Sequence, residues 1–506
     1  MSIELSQDLV HISENTQYNI KKEAVMKTQV SRIFLVLLSA ILLLGAVSCG
    51  VEPPSGETTA AGDSSTVEQT EAETEIPAPD IEKKNYDCDF NIMYCDGIYD
   101  PNNYFPEENM TGAVLQDAAV ERNVVVSEHL GVDFHLINAP DINLVNNLRA
   151  SRQSGDDSYQ MVMTHPYISV DAMLTEGMLL DLSEQPTINT DAPYWNGQLM
   201  EQLSIKDKMF LGYNDFSLAN TWLITFNKDI HKAYQMENVY ELVDNKGWTL
   251  DKMISMASVV SKDDGDGKWT SADTYGFAGF CQLPMISFMI GSDIDLIRED
   301  ENGIPYVSLA AEQKEKTIAL AEKMRALYLA DYSFMWPVGA SDSMSITDGR
   351  ALFVMSPSSS LKSYLEFDVP FGILPYPLYD ANQEQYRMLS WNGFLGIPCT
   401  VKNADMSAEV LELLAYHSAP VKTAFFEILL GTQIAEAPED ARMLNLIWQT
   451  QSNDVGQVFA TCSNSLGALL YCMENFAQGQ ANYASFIEKQ TYSAERAIQQ
   501  MYEKIQ

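Results

Sequence analysis

Between Asp89 and Tyr167 the chain alternates between two apolar periods, and this limits the folds open to it more than any other feature. Asp89 to Tyr94 is a strand-like run. A helix is expected from about Gly112 to Leu130, stopped by Gly131, since glycine enters the left-handed conformation of a helix end without a Cβ penalty. Val132 to Ile137 alternates as a strand, Asp141 to Gln153 reads as a helix, and Tyr159 to Thr164 is an apolar strand ending in His165-Pro166-Tyr167. This order is that of a parallel α/β sheet with right-handed crossovers. Ligands of such sheets sit beyond the carboxyl ends of the strands, and Thr164 to Tyr167 lies at such an end.

Further strands are expected at Trp222 to Phe226, Ala351 to Met355, Phe371 to Pro377 and Met388 to Pro398. A helix should begin at Trp248-Thr249-Leu250-Asp251, with Thr249 as N-cap and Asp251 at the positive helix start. Gln313 to Leu329 reads as a long amphipathic helix, and the remainder of the chain as helical. In the last helix Ala494, Ala497, Ile498, Met501, Tyr502 and Ile505 form one apolar stripe. No internal repeat is visible. The roughly 450 residues after Cys49 exceed what one hydrophobic core organises and suit two lobes or more.

The N-terminal region reads differently. Lys27 and Arg32 precede an apolar run from Ile33 to Val47, too short for the ~20 residues of a membrane span but suited to a secretory signal peptide. Ala46-Val47-Ser48-Cys49 resembles a bacterial lipobox, in which the cysteine thiol carries a diacylglycerol; an ordinary signal peptide with an incidental cysteine is the alternative. Met26 is the expected initiator, with 1–25 a mis-assigned start and 26–48 the signal peptide. Val51 to Lys84 is rich in Pro, Thr, Ser and Glu and lacks aromatics, so 49–84 is expected to be a lipidated cysteine followed by a disordered tether.

The net charge of −39, from 70 acidic and 31 basic residues, opposes nucleic-acid binding and charge-driven docking on anionic lipid. It suits a surface protein held only by the two acyl chains of a lipid. Without Cys49 six cysteines remain, and no pair has Cys-x-x-Cys spacing. Cys88–Cys95 and Cys462–Cys472 are candidate local disulfides; buried free thiols are the alternative.

Asp117 to Asn123, Tyr194-Trp195-Asn196, Phe226-Asn227-Lys228, Gly247 to Asp251, Asp273 to Gly276, Asp348 to Phe353 and Gly372 to Pro375 occur in this order behind the lipobox-like segment. From about Asn85 onward the chain thereby resembles an extracellular solute-binding lipoprotein of a bacterial ABC importer, of the sugar-carrying family 1 type. That resemblance implies a two-lobed α/β, periplasmic-binding-protein-like (type II) fold, with ligand between lobes that close about a hinge. It implies a first crossing near Asn227 and a return near Tyr376 to Met388. The expected lobes are 85–226 with about 378–435, and about 227–377 with 436–506. The implied partners are a carbohydrate ligand and the membrane subunits of an ABC permease, with the receptor itself monomeric.

Sugar sites stack aromatic faces on pyranose rings and bind hydroxyls with amides and carboxylates inside a largely apolar cleft. By position the candidates are His165, Tyr167, Asp215, Trp222, Gln282, Ser356, Trp391 and Asn392; core packing is the alternative for each aromatic. Ser261 to Asp273 resembles a calcium loop, with Asp264, Asp266 and Asp273 as ligands and Gly267 at the turn, but Lys262 stands where the first carboxylate belongs. An acidic turn without metal is the alternative, and no other cofactor is expected. Nucleophile-elbow, zinc-helix and phosphate-loop spacings are absent, and His129, His135, His165, His231 and His417 fall at no helical ligand spacing. Binding without covalent chemistry is therefore expected. A surface glycan hydrolase and a ligand-sensing partner of a sensor kinase are the alternatives, and a peptide or another solute is an alternative ligand.

Overall fold

The computed structural model describes residues 76–95, 99–106, 113–140, 142–165, 170–218, 220–280, 283–336, 343–390, 393–430, 437–479 and 482–505. The lipobox-like segment, most of the tether, Tyr167, Gln282, Trp391 and Asn392 lie outside these residues. The described residues all fall in one compact unit.

The elements that position the site are, in chain order, β1 (Cys88–Tyr94), α1 (Val114–Leu130), β2 (Val132–Asn138), α2 (Ile142–Ser154), β3 (Met161–Thr164), β4 (Trp222–Asn227), α3 (Leu250–Ala257), β5 (Thr274–Phe280), α4 (Lys314–Tyr328), β6 (Ser333–Trp336), β7 (Ala351–Pro357), β8 (Phe371–Leu374), β9 (Met388–Leu389), β10 (Phe394–Gly396), α5 (Ala404–Tyr416), α6 (Ala419–Leu430), α7 (Pro438–Gln449), β11 (Gln451–Ser452) and α8 (Tyr483–Lys504).

The first sheet has the order β10-β3-β1-β2. β1 pairs in parallel with both β2 and β3, and β10 runs antiparallel to β3. Phe90, Ile92 and Met93 of the central strand are fully buried. Helix α1 covers this sheet with Leu115, Ala119, Arg122, Val126 and Leu130, one core-facing stripe with an arginine in its middle. Gly131 ends α1 at φ +64, and a Cβ there would meet the Asn85 side chain at 2.0 Å, so the position requires glycine.

The second sheet has the order β8-β4-β7-β5, with β6 and the two-residue strand Ser261–Lys262 both on the far side of β5. β4 is antiparallel to both of its neighbours, whereas β5, β6 and β7 run parallel. Strand β4, expected to close the first lobe, is instead central in the second sheet. All its residues after Trp222 are buried, as a strand covered on both faces requires. The chain passes between the sheets in two antiparallel segments, marked by the bridges Gly212↔Leu395 and Thr221↔Ser390. The passages thus precede Asn227 and follow Met388, displaced from the expected crossings because β4 and the stretch after β8 stay with the second sheet. That stretch is held there by the bridge Thr249↔Leu378.

Helices α5 and α6 pack on α1, and α7 packs on β8. Helix α8 lies against the hairpin strand Pro305–Val307. Its stripe is buried at Ala494, Ile498, Met501, Tyr502 and Ile505, with Ala497 half-buried. The region after Pro398 is not wholly helical: Gln451–Ser452 is a strand beside Met388–Leu389.

Among the described residues no disulfide links Cys88 to Cys95 or Cys462 to Cys472. Cys88 opens the seven-residue strand β1 and Cys95 directly follows it, and at ~3.3 Å per residue the extended chain holds them far beyond disulfide reach. Among the described residues no helix is long and apolar enough to cross a membrane.

The motif stretches act as pins of this fold. Trp248 Nε1 donates to the Pro375 carbonyl at 2.9 Å, joining two of them. Tyr194 Oη and Trp195 Nε1 each donate to buried Glu412 at 2.7 Å. Arg350 Nε donates to the Ser271 carbonyl at 2.7 Å, and its own carbonyl accepts from Tyr275 N at 2.8 Å. Asn227 caps the helix after β4 through Asp229 N and Ile230 N.

Candidate functional site between the two sheet edges

Segments that follow the carboxyl ends of β1 and β7, one strand from each sheet, line one cavity of about 430 Å³. From the first sheet it is lined by the loop after β1 (Tyr99, Asp100, Asn103, Tyr104), the start of α1 and the end of α6 (Phe425, Ile428, Leu429). The passage segment adds Leu218 and Asn220, and the turn after β7 adds Ser359 and Lys362. Residues on both sides of the passages thus face one space.

Its first-sheet wall is aromatic and fixed. Tyr99 Oη donates to the Thr164 carbonyl at the end of β3 at 2.7 Å. Burial raises the Tyr99 phenol well above its ordinary value and so keeps it a donor. Tyr104 meets Tyr99 edge-on at 5.6 Å and Phe216 at 5.2 Å. Gly393 makes the close approach possible, since a Cβ there would fall 1.2 Å from the Tyr99 hydroxyl and 2.4 Å from the Thr164 carbonyl. Across the passage, Ser358 Oγ donates to Asn220 Oδ1 at 3.1 Å and accepts from Thr221 N at 3.1 Å, fastening the turn after β7 to the passage strand.

The second sheet ends at the same side in an aromatic edge. β5, β6 and β7 finish at Phe280, Trp336 and Pro357, and antiparallel β4 begins there with Trp222. Phe280 and Trp336 are register partners, as are Pro357 and Trp222. Trp222 packs on Phe280 at 5.0 Å, and all three aromatic rings remain partly exposed.

The expected site residues are distributed unevenly over this frame. Trp222 is on the aromatic edge, and buried His165 directly follows β3. Ser356 is buried within the second sheet, where its hydroxyl lies 2.9 Å from Thr225 Oγ1 and 3.4 Å from Tyr364 Oη. Asp215 is likewise committed: its carboxylate accepts from Lys422 Nζ at 3.0 Å and Trp448 Nε1 at 3.3 Å. Burial raises the Asp215 pKa, and Lys422 pulls it the other way. Sequence reasoning passed over Tyr99, Tyr104, Asn103, Phe280 and Trp336. The strand-end rule used for β3 reaches the first three when applied to the loop after β1.

The acidic loop brings together Asp263, Asp264 and Asp273, with ligand oxygens within 4.8 Å of one another; Asp266 is not in the group. Each carboxylate already caps backbone amides. Asp273 accepts from Asp264 N and Thr270 N, both at 2.7 Å, Asp263 from Gly265 N at 2.6 Å and Asp266 from Lys268 N at 2.7 Å. The geometry is that of successive turns closed by their own aspartates.

Solved structures share this architecture. The ABC substrate-binding protein Lmo0181 from Listeria monocytogenes, in complex with cycloalternan, superposes with a TM-score of 0.50 at 9% identity, over 81% of this chain and 99% of that one. The GacH receptor of Streptomyces glaucescens, solved unliganded and with acarbose, gives 0.50 at 14% identity over 83% and 99%. The maltose-binding protein MalE from Listeria monocytogenes, in complex with maltose, gives 0.50 at 13% over 82% and 98%. The fold is that of the sugar-type ABC solute-binding proteins. No family model matches the sequence, and a search of curated proteins finds no match. The likeness therefore lives in topology, with little of it left in residue identity.

Proposed function

We propose that this chain is an extracellular receptor, lipid-anchored through Cys49, that captures a neutral sugar or oligosaccharide in the cleft and delivers it to an ABC permease. The observation that carries the reading is the cavity itself, walled by Tyr99 and Tyr104 on one side and met by Asn220 and the turn after β7 on the other. Flat apolar rings with amides between them (Asn103, Gln116, Asn220) suit a pyranose, whose faces are apolar and whose rim is hydroxyl. Neighbours of the fold were solved with cycloalternan, acarbose and maltose. The net charge of −39 disfavours anionic solutes. Contacts from both sides would let ligand favour a closed state.

Binding without turnover is part of the reading. The test is a thermal-shift screen of the chain from Gly50 onward against mono- and oligosaccharides, with and without calcium. A ligand that binds only the folded state must raise the melting temperature. A sugar hit recovered unchanged supports the receptor, and a hydrolysed one overturns it. A shift by peptides or other solutes alone removes the carbohydrate assignment. A shift by calcium alone would make the Asp263–Asp264–Asp273 turn a metal site. Separately, Cys49→Ser should release the protein from the membrane into the medium.

A further inference from the structure

The core-facing stripe of α1 holds one residue that does not belong in an apolar core. Arg122 is 3% exposed, and among the described residues no carboxylate lies within ion-pair distance of it. Its donors go to neutral acceptors: the Tyr104 carbonyl at 2.5 Å, Asn123 Oδ1 at 2.9 and 3.0 Å, and Ser418 Oγ at 3.4 Å. The guanidinium stands 4.5 Å from the Phe216 ring centroid and 5.9 Å from that of Phe105. Burial pulls its pKa down to about 9. An unpaired buried cation is a poor way to gain stability, because a well-packed apolar residue of similar volume serves equally well or better.

What an apolar residue could not do is hold these partners together. Tyr104 belongs to the loop that forms the first-sheet wall of the cavity. Phe216 belongs to the segment that leads through Leu218 and Asn220 to the second sheet. Ser418 sits at the corner between α5 and α6, ahead of Phe425, Ile428 and Leu429. Helix α1, which carries Arg122, itself contributes Leu115 and Gln116. One planar fork thus lies where all four first-side segments lining the cavity meet. Asn123 reinforces it, donating through Nδ2 to the same Tyr104 carbonyl at 2.8 Å.

We propose that Arg122 is the positioning residue of the cleft, setting the loop after β1, the passage segment and α6 in one register so that the aromatic wall is presented ready-made. Its role in binding rests on the receptor reading; its role in setting the wall does not. The experiment is hydrogen exchange on the full chain, wild type against Arg122→Met, Arg122→Lys and Ser418→Ala, with melting temperature and affinity for maltotriose measured in parallel. Arg122→Met should raise exchange at least tenfold in 99–106, 214–218 and 419–429, while the sheet strands stay protected and the melting temperature changes by no more than a few degrees. Lysine keeps the charge but not the fork, so Arg122→Lys should not restore protection. Ser418→Ala should loosen 419–429 alone, which keeps the proposal testable if Arg122→Met fails to fold.

Unchanged exchange in the three segments overturns the proposal, as does a uniform rise across the whole domain, which is what mere destabilisation gives. If the wild type binds maltotriose, affinity should fall at least tenfold in Arg122→Met at unchanged melting temperature. If neither maltotriose nor any sugar of the thermal-shift screen binds, the carbohydrate reading fails while the exchange pattern still decides the role of Arg122.

Discussion

The two sheets are built on different principles. In the first, β1, β2 and β3 are joined by helices in chain order and assemble locally, with β10 added from far along the chain. In the second, β4 lies between β7 and β8, strands more than a hundred residues further along. The buried arginines follow the same division. Arg122 on the first side has only neutral acceptors. Arg387, between β8 and β9, binds Asp293 at 2.8 Å, Asp295 at 2.7 Å and Ser452 at 2.7 and 2.9 Å, tying three distant segments together. Both arginines join segments far apart in sequence, Arg122 through neutral acceptors and Arg387 through ion pairs.

The largest expected effect tests that contrast directly. Arg387→Met removes the buried counter-charge of Asp293 and one of the two cations that hold Asp295, whose Arg298 partner remains, and should lower stability by about 2–3 kcal/mol. Arg122→Met should be near neutral. A urea titration of both variants measures the difference, and equal losses would break the comparison.

Next is Gly393→Ala, which sets a Cβ against the Tyr99 hydroxyl and the Thr164 carbonyl. Overpacking of this kind costs about 1–3 kcal/mol. The Tyr99 wall should move with it, so near-ultraviolet circular dichroism should change along with the urea midpoint.

The two sides should also differ in sign with pH. Burial, then the charge of Asp295, pushes the Asp454 carboxyl up to about 7 against the pull of amides at Leu296, Ile297 and Gly456. An unfolded aspartate titrates at about 3.9. The folded state therefore holds the proton more tightly, and this contribution is full below pH ~4 and lost as pH rises through 7. Asp156, at the end of α2, is displaced the opposite way by hydroxyl donors from Ser151 and Ser154. Its contribution is present above the unfolded pKa and lost on acidification. Urea midpoints from pH 3 to 8 should show Asp454→Asn flattening the loss toward neutrality and Asp156→Asn flattening the acid limb.

The smallest effect is at an end of a second-side helix. Thr249 Oγ1 accepts from Lys252 N at 3.2 Å as the N-cap of α3, and Thr249→Ala should cost about 1 kcal/mol by the same titration. A much larger loss would mean that the bridge Thr249↔Leu378 depends on the cap.

The contrast also explains what was legible beforehand. Strands β1 to β3 were legible nearly to the residue, because period, helix caps and Gly131 are local signals, whereas the single strand expected from Met388 to Pro398 is two, β9 and β10, in different sheets. The strands β5 and β6 were not, although Thr274-Tyr275-Gly276 had been singled out. Their apolar runs are short, and what makes them strands is pairing with β7 and with each other. Trp222 opens β4, as the apolar run predicts, and stands on the aromatic edge of the second sheet. Ser356 and Asp215 carry suitable chemistry, but their partners, Thr225 and Lys422, are far away in sequence and take up that chemistry.

The sequence alone determined the α/β class, the order of the first five elements, the position of Thr249 as a cap and the strongly acidic net charge. Each of these depends on neighbours along the chain or on sums over it. Tertiary structure decided which sheet received β4, that Tyr99 and Tyr104 would wall the cavity, and that Arg122 would sit unpaired at the meeting of its segments. Those depend on contacts between residues that only folding brings within a few ångströms, and periodicity carries no record of them.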